Sequence, residues 1–260
     1  MKGKGFITIV ALVLVIGCLS GQAASAAPGA PEERVIPYPP GYVTDREGAS
    51  AYKGAGNVRN SPYYAAVDIY GLTSQGGLTV LPRYRTYQQT TEYTCGPAAA
   101  LTVLHYFDNT VWDELAIAKV MATHTKTGTP TSGMVKFFQS IGWDVHSSLE
   151  ASTKAGRMFA DLPAFTHFVA ANLQNNTPIM VENVDWAGHW RVIIGYDTMG
   201  TDTLADDVLI MADSYDTADH WQDGYVIVPA EKFFYTWYDS HLLPAGQKYQ
   251  QWLTVVPPRS

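Results

Sequence analysis

QQTTEYTCGPAAALTVLHYF, residues 88–107, sets a lone cysteine at the start of an apolar helical run. Gly96 allows another part of the chain to come close, and Pro97 is tolerated in a first turn, where its missing N–H would be unpaired anyway. AAALTVLHYF continues as helix. Ala99, Thr102, Val103 and Tyr106 fall on one face and Ala98, Leu101 and Leu104 on another, so the helix is apolar on most sides and belongs in a core, with its exposed end carrying the thiol. A thiol attacks as thiolate, and a helix N-terminus favours thiolate through its unpaired amides and its dipole. That setting argues for a nucleophile at Cys95 over the plainer reading of a buried small apolar residue.

The chain opens MKGKGFITIVALVLVIG, two lysines ahead of an apolar run too short to span a bilayer comfortably. Residues 1–26 read as an export signal. Cleavage in the Ala-Ser-Ala region near Ala26 fits it, and so does acylation of Cys18 behind Val15-Ile16-Gly17, which would leave a lipid anchor. In either case Cys95 is the one thiol left in the folded domain, so no internal disulfide is expected. Loss of Lys2 and Lys4 takes the formal charge from −7 to −9. An acidic, aromatic-rich domain argues against nucleic acid or anionic membrane as a partner, and no second apolar run reaches membrane length. The expected location is extracellular or at the cell surface.

Residues 27–78 are rich in Pro, Gly, Ala and Ser and carry no sustained period. They read as a spacer, a pro-segment or an irregular wrap around the domain. Residues 79–255 form one domain. Its predicted order begins with a strand over 78–84, helices over 95–107, 112–122 and 132–141, and a strand over 143–148. A helix over 164–175 follows, then strands over 178–184, 189–197, 207–213 and 224–230 and a helix over 231–241. Helices first and an antiparallel sheet second is an α+β order. There is no Gly-rich phosphate loop, no His-Glu-x-x-His and no paired-cysteine spacing, so neither cofactor nor metal is expected. Asp213, Asp216, Asp219 and Asp223 lack the alternation and the bidentate Glu of a calcium loop and read as a solvated acidic loop.

A nucleophilic cysteine needs a base. His105, His124, His146, His167, His220 and His241 sit in contexts that suit structural histidines. His189 differs, since it follows Ala187-Gly188 and opens the strand WRVIIGYD. The base needs an orienting group. A hairpin of 190–196 with 207–212, closed near Thr201, sets Asp213 directly opposite His189 on one face of the sheet, unless a bulge in the long TMGTDTLAD connection shifts the register. Acyl transfer also needs donors for an oxyanion. The Cys95 amide is one, and Gln88 or Gln89 supplies a side-chain amide, although such a pair before a turn usually faces solvent.

These residues resemble a known family, the papain-like cysteine peptidases of the bacteriocin-processing, double-glycine-leader type, family thirty-nine, and within it the stand-alone branch. The resemblance runs over about residues 79–240. It rests on Gln89, Cys95-Gly96-Pro97-Ala98, Gly188-His189-Trp190, Gly195-Tyr196-Asp197 and Asp213. It implies a papain-like fold with Cys95 as nucleophile, His189 as general base and then acid, Asp213 as orienter, and Gln89 with the Cys95 amide as oxyanion hole. The substrate implied is a peptide or protein. The family's Asp is commonly followed by Pro, where Ser214 stands here. Leader-processing members are fused to an exporter, and neither a membrane domain nor a nucleotide-binding domain is found in this chain, so double-glycine specificity is not carried over. The same residues would serve a transpeptidase or amidase, as in phytochelatin-synthase-like enzymes. A binding domain on this fold that grips peptide or wall material without turnover is the alternative from another class.

Overall fold

The computed structural model describes residues 31–52, 67–150, 159–217, 222–239 and 241–258. The signal expected over 1–26 lies outside them, as do Asp219 and His220. Two short helices come first, α1 (Pro31–Arg34) and α2 (Gly48–Ala51), followed by strand β1 (Leu78–Val80). Three helices follow, α3 (Cys95–Tyr106), α4 (Glu114–Met121) and α5 (Thr131–Ser140), and then β2 (Asp144–Ser147) and α6 (Leu162–Gln174). The second half runs β3 (Ile179–Asn183), β4 (His189–Asp197), β5 (Val208–Asp213), β6 (Tyr225–Pro229), α7 (Ala230–Tyr235) and β7 (Gln251–Val256). The strands form one sheet in the order β2-β7-β3-β4-β5-β6, with β1 also on β4, and the pairings are antiparallel. A helical first half packed on an antiparallel sheet is the α+β organisation expected.

Helix α3 is apolar nearly all round, and it is buried from Cys95 to Leu104. It packs against α4 and β4, between the helical half and the sheet. Ala98, Ala100, Val103 and Leu104 are fully enclosed. Each side chain of the Val or Leu size contributes about 1.5–3 kcal/mol by leaving water. The α4 and α6 starts are capped by Asp113 and Asp161, whose carboxylates accept from Ala116 N and Ala164 N. Helix α3 has no such cap. Thr94 at its N-cap turns its hydroxyl to Glu114, which leaves the positive end of the helix turned toward Cys95. The end expected to be exposed is enclosed instead, with Cys95 only 7% accessible.

Several element bounds differ from expectation. Strand β1 stops at Val80 because Pro82 has no N–H with which to continue a ladder. The helix expected over 231–241 ends at Tyr235, where the Thr236 hydroxyl bonds back to Lys232 O and the chain turns to pair Asp239 N with Lys248 O. The sequence pattern predicts no element over 251–256, yet β7 lies inside the sheet between β2 and β3. The acidic loop is not solvated at its first two positions. Asp213 and Asp216 are 4% and 3% exposed, the latter accepting from Gly224 N.

The N-terminal residues dock onto the approach to the nucleophile. Thr86 N donates to Arg34 O and Ile36 N to Thr86 O, while Ser50 N donates to Gln89 O. Ile36 and Ala49 are buried in that contact. Residues 84–92 are thus held from both sides, which fixes the backbone from which Gln89 projects.

Candidate active site

Strands β4 and β5 carry the base and its partner. In the observed register Arg191, not His189, is directly opposite Asp213, and a bulge shifts the ladder between Ile193 and Gly195. Beside the turn the pairing is displaced by three residues from the expected hairpin, and the bulge takes one back. The net slip of two is even, so side chains keep their face. Asp213 therefore meets both residues on that face. Its Oδ1 lies 2.6 Å from His189 Nε2, and its Oδ2 accepts from Arg191 Nε at 2.7 Å. Tyr215 N adds a third donor at 2.8 Å, and Arg191 also bonds Asp185.

With Nε2 engaged by Asp213, the imidazole has Nδ1 left for the thiol of Cys95, which lines the same cleft wall. His189 and Asp213 are both almost wholly buried. Burial works against an imidazolium, but the Asp213 carboxylate, its hydrogen bond and the neighbouring Cys95 outweigh it and raise His189 to about 9. Burial likewise works against the Asp213 carboxylate. The charges of His189 and Arg191 prevail and hold it far below the usual carboxylate range.

Two contacts bring the Cys and His halves into register. Trp190, the residue after the histidine, donates from its indole to Thr129 O at 2.9 Å. Thr129 in turn packs on Gly96. A β-carbon at Gly96 would lie 2.9 Å from Thr129 Cβ and 3.0 Å from Met134 Sδ, so only glycine admits this approach beside the nucleophile.

Gln89 is buried, 1% exposed, contrary to the solvent-facing expectation for that pair. Its Oε1 accepts from Ser214 Oγ at 2.9 Å and its backbone N donates to Ser214 O at 2.9 Å. Its Nε2 donates to Thr91 O at 2.8 Å, which leaves a second N–H on a nitrogen whose side chain lines the cleft. Gln88 points elsewhere, to Gln222 O.

The cleft encloses about 400 Å³. Gln89, Cys95 and His189 share its walls with Gly188, Trp186 and Tyr215. Trp186 is 59% exposed and sits 5.3 Å from the Tyr215 ring, and the Tyr215 hydroxyl bonds Glu92, so an aromatic rim borders the histidine. A hollow of about 450 Å³ elsewhere, between His146, Glu150, Phe168 and Trp252, holds no cysteine.

The structure thus brings Gln89, Cys95 and His189 to one cleft, with Asp213 bonded to His189 behind its wall. Arg191, Ser214 and Trp190, which support them, were not singled out for the site from sequence. Arg191 and Ser214 stand close to named residues, and Arg191 shares the strand face of His189 by the period of two. Glu114, which holds the turn before Cys95, carries no local signal because its partners lie 20 to 27 residues away.

Among solved structures, the peptidase domain of Streptococcus ComA, a bi-functional ABC transporter involved in a quorum sensing pathway, is similar at 17% identity. The alignment covers 66% of this chain and 96% of that one, with a TM-score of 0.43. The peptidase domain of Streptococcus mutans ComA is similar at 16% identity, over 67% of this chain and all of that one, with a TM-score of 0.36. No curated protein matches the chain. The model of the Peptidase_C39 like family matches residues 82–241, more than half the chain and the span that holds Gln89, Cys95, His189 and Asp213, so the chain belongs to the peptidase C39-like family.

Proposed function

We propose that this protein is an exported cysteine hydrolase that cleaves peptide or amide bonds, with Cys95 as nucleophile. The observation that carries the reading is the pairing of Cys95 and His189 on the wall of an open cleft, with Asp213 bonded to the histidine behind it. Proton transfer from Cys95 to Nδ1 gives a thiolate beside an imidazolium. The thiolate attacks the carbonyl carbon, a C–S bond forms, and the oxyanion takes hydrogen bonds from the Gln89 amide and the Cys95 N–H. On collapse the C–N bond breaks and Nδ1 gives its proton to the leaving amine. Water, losing its proton to the same nitrogen, then attacks the thioester and frees the acid. Asp213 holds the ring orientation and the charge throughout, and Arg191 fixes Asp213.

The test is intact-mass measurement after acid quenching of the protein with a peptide mixture. An acyl group on Cys95 that decays with release of the acid is expected. Peptide cleavage with no adduct, or no adduct and no cleavage, would sink the reading. An added acceptor amine that diverts the acyl group would make the protein a transpeptidase in practice. Export rests on residues 1–17, and N-terminal sequencing of the cell-surface or secreted protein should begin near Ala26 or at an acylated Cys18; an intact Met1 there contradicts it.

Ser214 is a positioning residue in this scheme. Its hydroxyl fixes which end of the Gln89 amide faces Thr91. Ser214→Ala should lower kcat up to about tenfold, one neutral hydrogen bond's worth, with KM little changed. Ser214→Thr should restore the rate. A fall in KM-dependent binding alone would point to a structural role.

A further inference from the structure

Beneath Gly188 two carboxyl groups face each other with no base between them. Glu182, from β3, and Asp239 are each 2% exposed. Among the described residues, neither Glu182 oxygen and not Asp239 Oδ2 has a hydrogen-bond donor. Asp239 Oδ1 accepts from Leu243 N at 3.0 Å, and the His189 amide lies near Glu182 without the alignment of a bond. The contrast with Asp213 is direct: that carboxylate has three donors and two cationic neighbours, whereas among the described residues these two have one donor between them, Leu243 N, and no salt-bridge partner.

Both carboxyls converge on one point. A β-carbon on Gly188 would come 2.5 Å from Asp239 Oδ2 and 3.0 Å from Glu182 Oε1, and the residue sits at φ +149°, so glycine is required there twice over. Burial, and then the charge of the adjacent Asp239, push the Glu182 carboxyl well above its ordinary range, so the pair holds a proton between them. A small cavity of about 20 Å³ lies against them, walled by Cys95, Trp190, Leu242 and Leu243. Cys95, Gly128, Gly188 and Leu242 line this cavity and the cleft alike, so it is the inner end of the site.

We propose that Glu182 and Asp239 form an ammonium-binding subsite beside the nucleophile, which selects substrates with a primary amine carried on a short methylene chain near the carbonyl that Cys95 attacks. The substrate clause rests on the hydrolase reading above; the binding clause does not. A cavity of that size admits one water-sized group, which an ammonium head matches and a guanidinium exceeds. The entering cation supplies three donors to the three oxygens that lack one, and the proton it displaces leaves to water. Trp190, Leu242 and Leu243 give an apolar wall for the methylenes that carry it.

The test needs no turnover. Cys95 is modified with 2-aminoethyl methanethiosulfonate and with its neutral isostere, propyl methanethiosulfonate. In both reactions the thiolate attacks the sulfenyl sulfur, a disulfide forms and methanesulfinate leaves. The ratio of the two rates is divided by the same ratio for a free small thiol. About tenfold preference for the ammonium reagent is expected in the wild-type protein, falling toward one in Glu182→Gln and in Asp239→Asn. Should both variants misfold, ethylammonium chloride must slow the charged reagent and spare the propyl one on the wild-type protein. A wild-type ratio near one, or equal slowing of both reagents, overturns the subsite. If the ratio holds while no peptide is cleaved, the subsite stands and the hydrolase reading falls; cleavage indifferent to lysine against norleucine, with a ratio near one, does the reverse.

Discussion

His189→Ala is expected to slow alkylation of Cys95 by iodoacetamide about a hundredfold at pH 6, and to lower kcat/KM for peptide cleavage by about 10⁴-fold or more. The first number follows from ordinary thiol chemistry. A thiol with the usual pKa near 8.5 is only roughly 0.3% thiolate at pH 6, whereas a thiol that has passed its proton to a neighbouring imidazole reacts from a largely ionised state. The second follows from the loss of the group that both takes the thiol proton and returns it to the leaving amine. Residues acting as such a unit cost nearly the full enhancement when any one is removed, so Cys95→Ala on top of His189→Ala should add little. The pH profile carries a sign that checks the assignment. With His189 raised to about 9, the imidazolium is present through neutral pH, and cleavage should fall only as pH rises past about 9. Equal alkylation rates in the two proteins at pH 6 would mean that Cys95 does not share a proton with His189, and the nucleophile assignment would fail with it.

The same two groups bear on stability in opposite directions. A raised His189 contributes stability that is complete below its unfolded value of about 6.5 and is lost as pH rises through about 9. A depressed Asp213 contributes stability that is complete above about 3.9 and is lost as pH falls through its lowered value. The pair therefore supports the fold most fully in mildly acidic solution, where both contributions are whole.

What could be read from the sequence was local or periodic. Cys95-Gly96-Pro97 announces a helix start, the all-round apolarity of 98–107 announces its burial, and the period of two in HWRVIIGYD puts His189 and Arg191 on one face. The register of β4 with β5 was legible only in parity. The turn at 198–206 displaced it, and the bulge at Ile194 left a slip of two, which preserved the face and moved Arg191 into the place expected of His189. Strand β7 escaped because its partners, β2 and β3, lie some 70 to 110 residues before it, and nothing in QWLTVV names them. Ser214, seen from sequence only as a departure from a commoner Pro, gains a reason once Gln89 is beside it. The Glu182–Asp239 pair was invisible for the same cause as β7: 57 positions separate two acids, either of which reads alone as surface charge.

Glu114→Ala is expected to destabilise the protein by about 3–5 kcal/mol, the cost of removing one side of a buried, fully engaged carboxylate cluster. Glu114 is wholly buried, and four donors converge on it: the Tyr87 hydroxyl at 2.9 Å, Thr90 N at 2.9 Å, the Thr90 hydroxyl at 2.7 Å and the Thr94 hydroxyl. Burial raises its pKa against the pull of those bonds, so the contacts only partly offset the cost of enclosing the charge. Alanine leaves the donors unsatisfied and opens a void beneath residues 87–94, the segment that carries Gln89 and delivers the chain to Cys95. For a domain of this size the loss corresponds to a fall in Tm on the order of 10 °C. Glu114→Gln keeps the shape and one acceptor but turns an NH₂ toward hydroxyl and amide donors, and should cost about 1–3 kcal/mol. Denaturant unfolding read by tryptophan fluorescence measures both. The functional consequence follows from position. Thr94, released from Glu114, is free to cap the amides of α3 that otherwise face Cys95, so alkylation at pH 6 should slow in the folded fraction of Glu114→Ala as well. Unchanged stability would show that the turn before the nucleophile is held by residues 31–52 alone, whose bonds to Thr86 and Gln89 approach it from the other side.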